Sequence, residues 1–86
     1  KIIFKYSNNL QVILMKNFSL DSYFLEKYFR LEYFNKLKEL DLSENRIEFI
    51  PLDFLKYNPN LLILNLSRNS LKYFYHQNLN TLTRLS

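Results

Sequence analysis

Residues 37–50, LKELDLSENRIEFI, and residues 61–74, LLILNLSRNSLKYF, decide the reading of this chain. Overlaid at an offset of 24 residues, they match apolar to apolar at Leu37/Leu61, Leu40/Leu64, Leu42/Leu66, Ile47/Leu71 and Ile50/Phe74, and Asn to Asn at Asn45/Asn69. Both satisfy LxxLxLxxNxLxxL with aliphatic or Phe substitutions. A fixed period of this length marks units that cannot bury an apolar face alone and do so by stacking on their neighbours.

The register extends outward in both directions. Upstream, Leu10, Ile13, Met15, Leu20 and Tyr23 repeat the pattern at an offset of 27, with Phe18 in the Asn slot. Apolar triplets at spacing three lead into the repeats: Leu31, Phe34, Leu37, then Leu55, Asn58, Leu61, then Leu79, Leu82, Leu85. The expected organisation of residues 1–86 is therefore three repeats, 10–36, 37–60 and 61–84. Residues 1–9 close a preceding repeat and 85–86 open the next. Neither end reads as a polar cap, so the chain reads as a segment of a longer protein.

Period-two alternation at Ile13–Leu14–Met15, Leu40–Asp41–Leu42 and Leu64–Asn65–Leu66 predicts one short strand per repeat. The returns differ. Two prolines in PLDFLKYNPN (51–60) disfavour a regular helix and favour a turn or 3₁₀ path. Residues 24–36 contain no breaker and put Phe24, Tyr28, Leu31 and Phe34 on one helical face, which predicts a helix there. Phe29 and Tyr33 fall off that stripe, and read either as cover for neighbouring repeats or as a second contact on the outer side. The chain has no glycine, so loop positions needing positive φ are expected to use Asn, the next most tolerant residue.

These motifs resemble the leucine-rich-repeat family. The 24-residue form with LDLSENRI and LNLSRNSL is similar to the typical class of animal extracellular proteins, such as Toll-type receptors and insect secreted immune repeat proteins. The resemblance implies an α/β fold: a right-handed leucine-rich-repeat solenoid with short parallel strands on the concave face and helix, 3₁₀ or turn returns on the convex face. Asn45 and Asn69 are expected to satisfy backbone groups after the strand. Phe18 cannot, which makes the first repeat the least secure.

A solenoid exposes a broad rigid surface, so the expected role is protein binding by part of an extracellular receptor or secreted recognition protein, innate immune in kind. The alternative keeps the fold and places it in an intracellular scaffold or adaptor. Outward-pointing strand positions are the candidate ligand-binding residues: Val12, Leu14 and Lys16, Glu39, Asp41 and Ser43, Ile63, Asn65 and Ser67. The expected partner is a protein ligand or co-receptor. Asn17-Phe18-Ser19 and Asn65-Leu66-Ser67 are acceptor triplets for N-linked glycans at Asn17 and Asn65.

Other functions are not expected. Glu39 and Asp41, about 7 Å apart along a strand, match the spacing of hydrolytic carboxylate pairs, but an open sheet face supplies no pocket to tune them. No catalytic residue, metal site or cofactor is assigned. The lone His76 lies in a return loop and reads as a surface residue, and the absence of cysteine removes thiolate ligands and disulfides. Twelve basic and eight acidic residues give a net charge of +4, but they are interleaved without a basic tract, which argues against nucleic acid. No apolar run reaches the ~18 residues of a membrane span, so no membrane contact is expected from this segment.

Overall fold

A computed structural model of the chain describes residues 9–29, 34–51, 54, 58–72 and 84–85, the last two by their backbone. Four short strands, β1 (Val12–Leu14), β2 (Glu39–Asp41), β3 (Ile63–Asn65) and β4 (Arg84–Leu85), form one sheet in chain order. Every pairing is parallel, with Ile13 beside Leu40, Leu40 beside Leu64 and Leu64 beside Leu85. Parallel strands in sequence order need a crossover between each pair, and the return segments supply it.

The first two pairings keep the offsets of 27 and 24 that the motif predicts. The third does not. Leu64 pairs with Leu85, an offset of 21, so the slot equivalent to Leu61 falls on position 82 and not on Leu85. Leu85 thus stands beside Leu64 in the strand ladder, where the motif places it in the slot of Leu61. The triplet Leu79, Leu82, Leu85 is degenerate under a three-residue slip, which moves leucine onto leucine, so apolar pattern alone could not choose between the two registers.

The repeated apolar slots build the core. Ile13, Met15, Leu20, Leu37, Leu40, Leu42, Ile47, Leu61, Leu64 and Leu66 are all buried, with Ile50 and Leu71 partly buried against them. Two slots of the first repeat depart from this. Leu10 is exposed, at the threshold of β1, the edge strand of the four-stranded sheet. Tyr23, aligned with Ile50, is also exposed.

Tyr23 turns outward because the helix begins earlier than expected. Helix α1 (Ser22–Lys27) is capped by Asp21, whose side chain accepts from Phe24 N at 2.9 Å. Starting at Ser22 phases the inward stripe onto Ser22, Leu25 and Phe29, spaced three and four apart. The expected inward stripe is thus corrected at Tyr28, which points to solvent, whereas Phe29, 4% exposed, follows the reading in which it covers the neighbouring repeat. Leu31 and Tyr33 lie outside the described residues. The Phe29 ring packs at a tilt against Phe34 and Phe54, with centroids 6.3 Å and 5.8 Å away, so an aromatic cluster joins the returns of the first and second repeats. The second return turns tightly, with Phe54 N donating to Pro51 O and Leu61 N to Asn58 O. Among the described residues, no helix is long and apolar enough to cross a membrane.

Strands β1, β2 and β3 each run into a turn with a left-handed residue: Asn17 (φ 61°), Glu44 (φ 55°) and Arg68 (φ 56°) occupy equivalent slots, and Ser19 (φ 55°) is a fourth such residue. Asn was expected at positive φ, yet it fills only one of these four. Hydrogen bonding from the next residue's amide fixes this path at Glu44 and Arg68 despite the steric cost of about 1–2 kcal/mol each.

Candidate functional site

The outer face of the sheet is set by alternation against the buried row of Ile13, Leu40 and Leu64. Val12, Glu39 and Ile63 stand in register as one outward row, and Leu14, Asp41 and Asn65 as the next. Neighbouring strands are about 4.8 Å apart and neighbouring rows about 6.6 Å. The face therefore reads in strips: aliphatic on β1, acidic on β2, mixed on β3. Val12 is 46% exposed and Leu14 62% exposed, while Glu39, Asp41, Ile63 and Asn65 are half-buried.

The third row, just past the strands, is Lys16, Ser43 and Ser67. Lys16 and Ser67 are exposed, but Ser43 is 4% exposed, which corrects its expected place on the open face. The Ser43 carbonyl accepts from both Asn17 N of the first repeat and Asn45 Nδ2, which packs the turn closely around it. A small side chain in that position has little surface to show. Lys16 reaches Glu44 at 3.0 Å, an ion pair between the first and second repeats; Lys72 and Glu48, 3.3 Å apart, do the same between the second and third.

Two face residues also serve the fold. Asp41 Oδ1 accepts from Ser43 N at 2.9 Å, and Asn65 Oδ1 accepts from Ser67 N at 3.0 Å and Ser67 Oγ at 2.7 Å. Each closes an Asx turn at the end of its strand. Glu39 makes no such bond, and neither Glu39 nor Asp41 has an ion-pair partner among the described residues.

The turns behind the face are organised by asparagine amides. Asn45 Oδ1 accepts from Phe18 N and Leu20 N, both at 2.9 Å, while its Nδ2 is shared among Met15 O, Leu42 O and Ser43 O at 2.8–3.0 Å. Asn69 repeats this one unit later, accepting from Ile47 N and donating to Leu42 O and Leu66 O. Both roles agree with the sequence reading. What it missed is the direction: each amide reaches back into the preceding repeat, so Phe18 does not break the link between the first and second repeats. Phe18 itself, 54% exposed, is an outward aromatic beside the candidate face.

Two further bridges were not foreseen. Ser22 Oγ donates to Phe49 O at 2.7 Å and accepts from Glu48 N and Phe49 N, using its full hydrogen-bonding capacity across the returns. Asn58, in the slot of Phe34, is buried and donates to Phe34 O at 2.8 Å. A polar residue in an otherwise apolar triplet was the available signal. His76 lies outside the described residues. Among those described, no cluster of His, Asp or Glu could hold a metal ion.

A family model for the leucine-rich repeat matches residues 35–86, more than half of the chain. The chain belongs to the leucine-rich-repeat family. Over 39 residues it is 49% identical to leucine-rich repeat serine/threonine-protein kinase 1 of Mus musculus, a stretch that covers 45% of this chain and 2% of that protein. The likeness is thus one of repeats, and this chain spans a very small part of the relative's length. No solved structure matches. Leucine-rich repeats act as protein-interaction modules, which gives the chain its coarse assignment: a module for binding protein.

Proposed function

We propose that this chain is a protein-binding segment of a right-handed leucine-rich-repeat solenoid within a larger extracellular receptor or secreted recognition protein, innate immune in role. The observation that carries the binding assignment is the pair Val12 and Leu14, two adjacent outward aliphatics left in water on the sheet face beside an acidic strand. Burying them in a contact is favourable at about 25 cal/mol per Å². The face would be the concave side of the solenoid and the partner a protein ligand or co-receptor. The segment is read as non-enzymatic, since Glu39 and Asp41 lie on an open surface.

The extracellular part rests on the likeness of LDLSENRI and LNLSRNSL to the typical repeat class and on Asn17, an exposed side chain in an N-glycan acceptor triplet. Glycopeptide mass spectrometry on the full-length protein from its natural source tests it. A glycan at Asn17 supports the reading. Unmodified Asn17 and Asn65 would turn the assignment to an intracellular scaffold or adaptor.

Binding is tested in the full-length protein by placing a photo-crosslinking side chain at position 14 or, as a control, at the exposed position 26 on α1. A discrete protein adduct from position 14, absent from position 26 and lost when Val12→Glu is added, is the expected result. Equal adducts from both positions would show that the face has no special role.

A further inference from the structure

Asp41 and Asn65 occupy the same slot in consecutive strands, paired side by side in the sheet. Each closes the same turn, Oδ1 accepting from the backbone N–H two residues on, at 2.9 Å in one and 3.0 Å in the other. The turn needs an acceptor oxygen and nothing more, because a neutral amide performs it one repeat later. The negative charge of Asp41 is therefore surplus to the fold. The same is true of Glu39, which projects from the same strand face and makes no side-chain hydrogen bond or ion pair among the described residues. Glu44, by contrast, is neutralised by Lys16 at 3.0 Å.

Two carboxylates with no ion-pair partner among the described residues thus stand about 6.6 Å apart on β2, with aliphatics about 4.8 Å to either side: Val12 and Leu14 on β1, Ile63 on β3. Half-burial makes such charges more sensitive to a counter-charge than freely solvated ones. The chain as a whole carries +4, so its net field repels a basic partner at long range. Charge complementarity here can act only at contact, within the Debye length of about 8 Å at physiological salt.

We propose that this face takes an extended segment of a partner protein bearing a basic side chain flanked by apolar ones, the cation against Glu39 and Asp41 and the apolar groups on Val12–Leu14 and Ile63. This rests on the protein-binding reading above and adds the chemistry of the partner. Arginine fits better than lysine, because its planar fork can meet two carboxylates while its stem covers the aliphatics.

The test uses the full-length chain and two labelled peptides of equal length, one alternating Leu with Arg and one alternating Leu with Glu, followed by fluorescence anisotropy. The Leu/Arg peptide should bind and the Leu/Glu peptide should not. Asp41→Asn combined with Glu39→Gln should weaken binding about tenfold while leaving the unfolding midpoint unchanged, since Asn65 demonstrates that the turn tolerates the amide. Leu14→Glu should weaken it as well, by removing the apolar seat. Equal binding of both peptides, or no loss in the double variant, overturns the proposal. If neither peptide binds while the position-14 crosslink still captures a partner, the partner chemistry is wrong and the binding face stands; if the crosslink fails too, both are wrong.

Discussion

The turn after β1 and the turn after β2 follow the same backbone path on different side chains. Asn17 and Glu44 are both left-handed at the equivalent slot, and Met15 N and Leu42 N each continue the parallel ladder by donating to the next repeat. One residue later the second turn has Asn45, buried, and the first has Phe18, turned out to solvent. The first turn keeps its shape because Asn45 supplies the bonds that Phe18 cannot, capturing Phe18 N, Leu20 N and Met15 O from one repeat away. The repeat unit defined by sequence and the unit defined by hydrogen bonding are therefore out of step: a turn is held by the asparagine that follows it in the stack.

Removing that amide is the largest perturbation open to this comparison. Asn45→Ala would remove the partner of two N–H groups and of one carbonyl, Met15 O, in a buried or part-buried setting. Ser43 O keeps its bond from Asn17 N and Leu42 O its bond from Asn69 Nδ2; the cost is about 1–3 kcal/mol for each group left unpaired that water cannot reach. A loss of about 4 kcal/mol is expected, read as a shift of the denaturant midpoint at constant slope. Asn69→Ala, at a half-buried site, should cost about 2 kcal/mol, while Phe18→Ala should stay within about 0.5 kcal/mol. If Phe18→Ala proved as damaging as Asn45→Ala, the first turn would be self-supporting and the backward reach of Asn45 would be incidental.

On the return side the bridging runs differently. Ser22 holds Glu48 N, Phe49 N and Phe49 O of the second repeat from a buried hydroxyl on α1. Ser22→Ala should cost about 1–2 kcal/mol, and Ser22→Thr should recover less than half of it, because the added methyl must enter a packed interior. Full tolerance of the Ala change would mean that the returns are held by the Phe29, Phe34 and Phe54 cluster alone.

These contrasts also explain what could be read from the residues. The strands and their inward rows were legible because Leu, Ile and Met recur at slots where only burial explains them, and the outward rows followed by alternation. The return of the first repeat was not, since Phe24, Tyr28 and Phe29 satisfy more than one helical phase and the choice fell to a cap, Asp21, that fixes the start at Ser22. The register of β4 was hidden by leucines spaced three apart. Ser43 was misplaced on the open face because alternation says which way a side chain points, but not how closely its neighbours crowd it. Of the candidate face, the positions were readable, whereas the split between a structural oxygen and a spare charge at Asp41 needed the distance to Ser43 N.

The smallest expected effect tests why the turns share a path at all. Arg68 adopts φ 56° without glycine or asparagine to ease it, and it has no ion-pair partner among the described residues. Asn17 occupies the equivalent slot at φ 61°. Arg68→Asn should therefore stabilise by about 0.5–1 kcal/mol, in protein made in a bacterial host because the change creates an Asn-Asn-Ser acceptor triplet at 68–70. Glu44→Asn relieves the same strain but loses the 3.0 Å pair with Lys16, a surface contact contributing about 0–1 kcal/mol, so its net effect should be smaller. A rise in the denaturant midpoint for Arg68→Asn that exceeds that for Glu44→Asn is the expected order. The reverse order would mean that the left-handed residue carries no strain here, and that the path is dictated by the ladder and the asparagine amides without opposition from the side chain that sits in it.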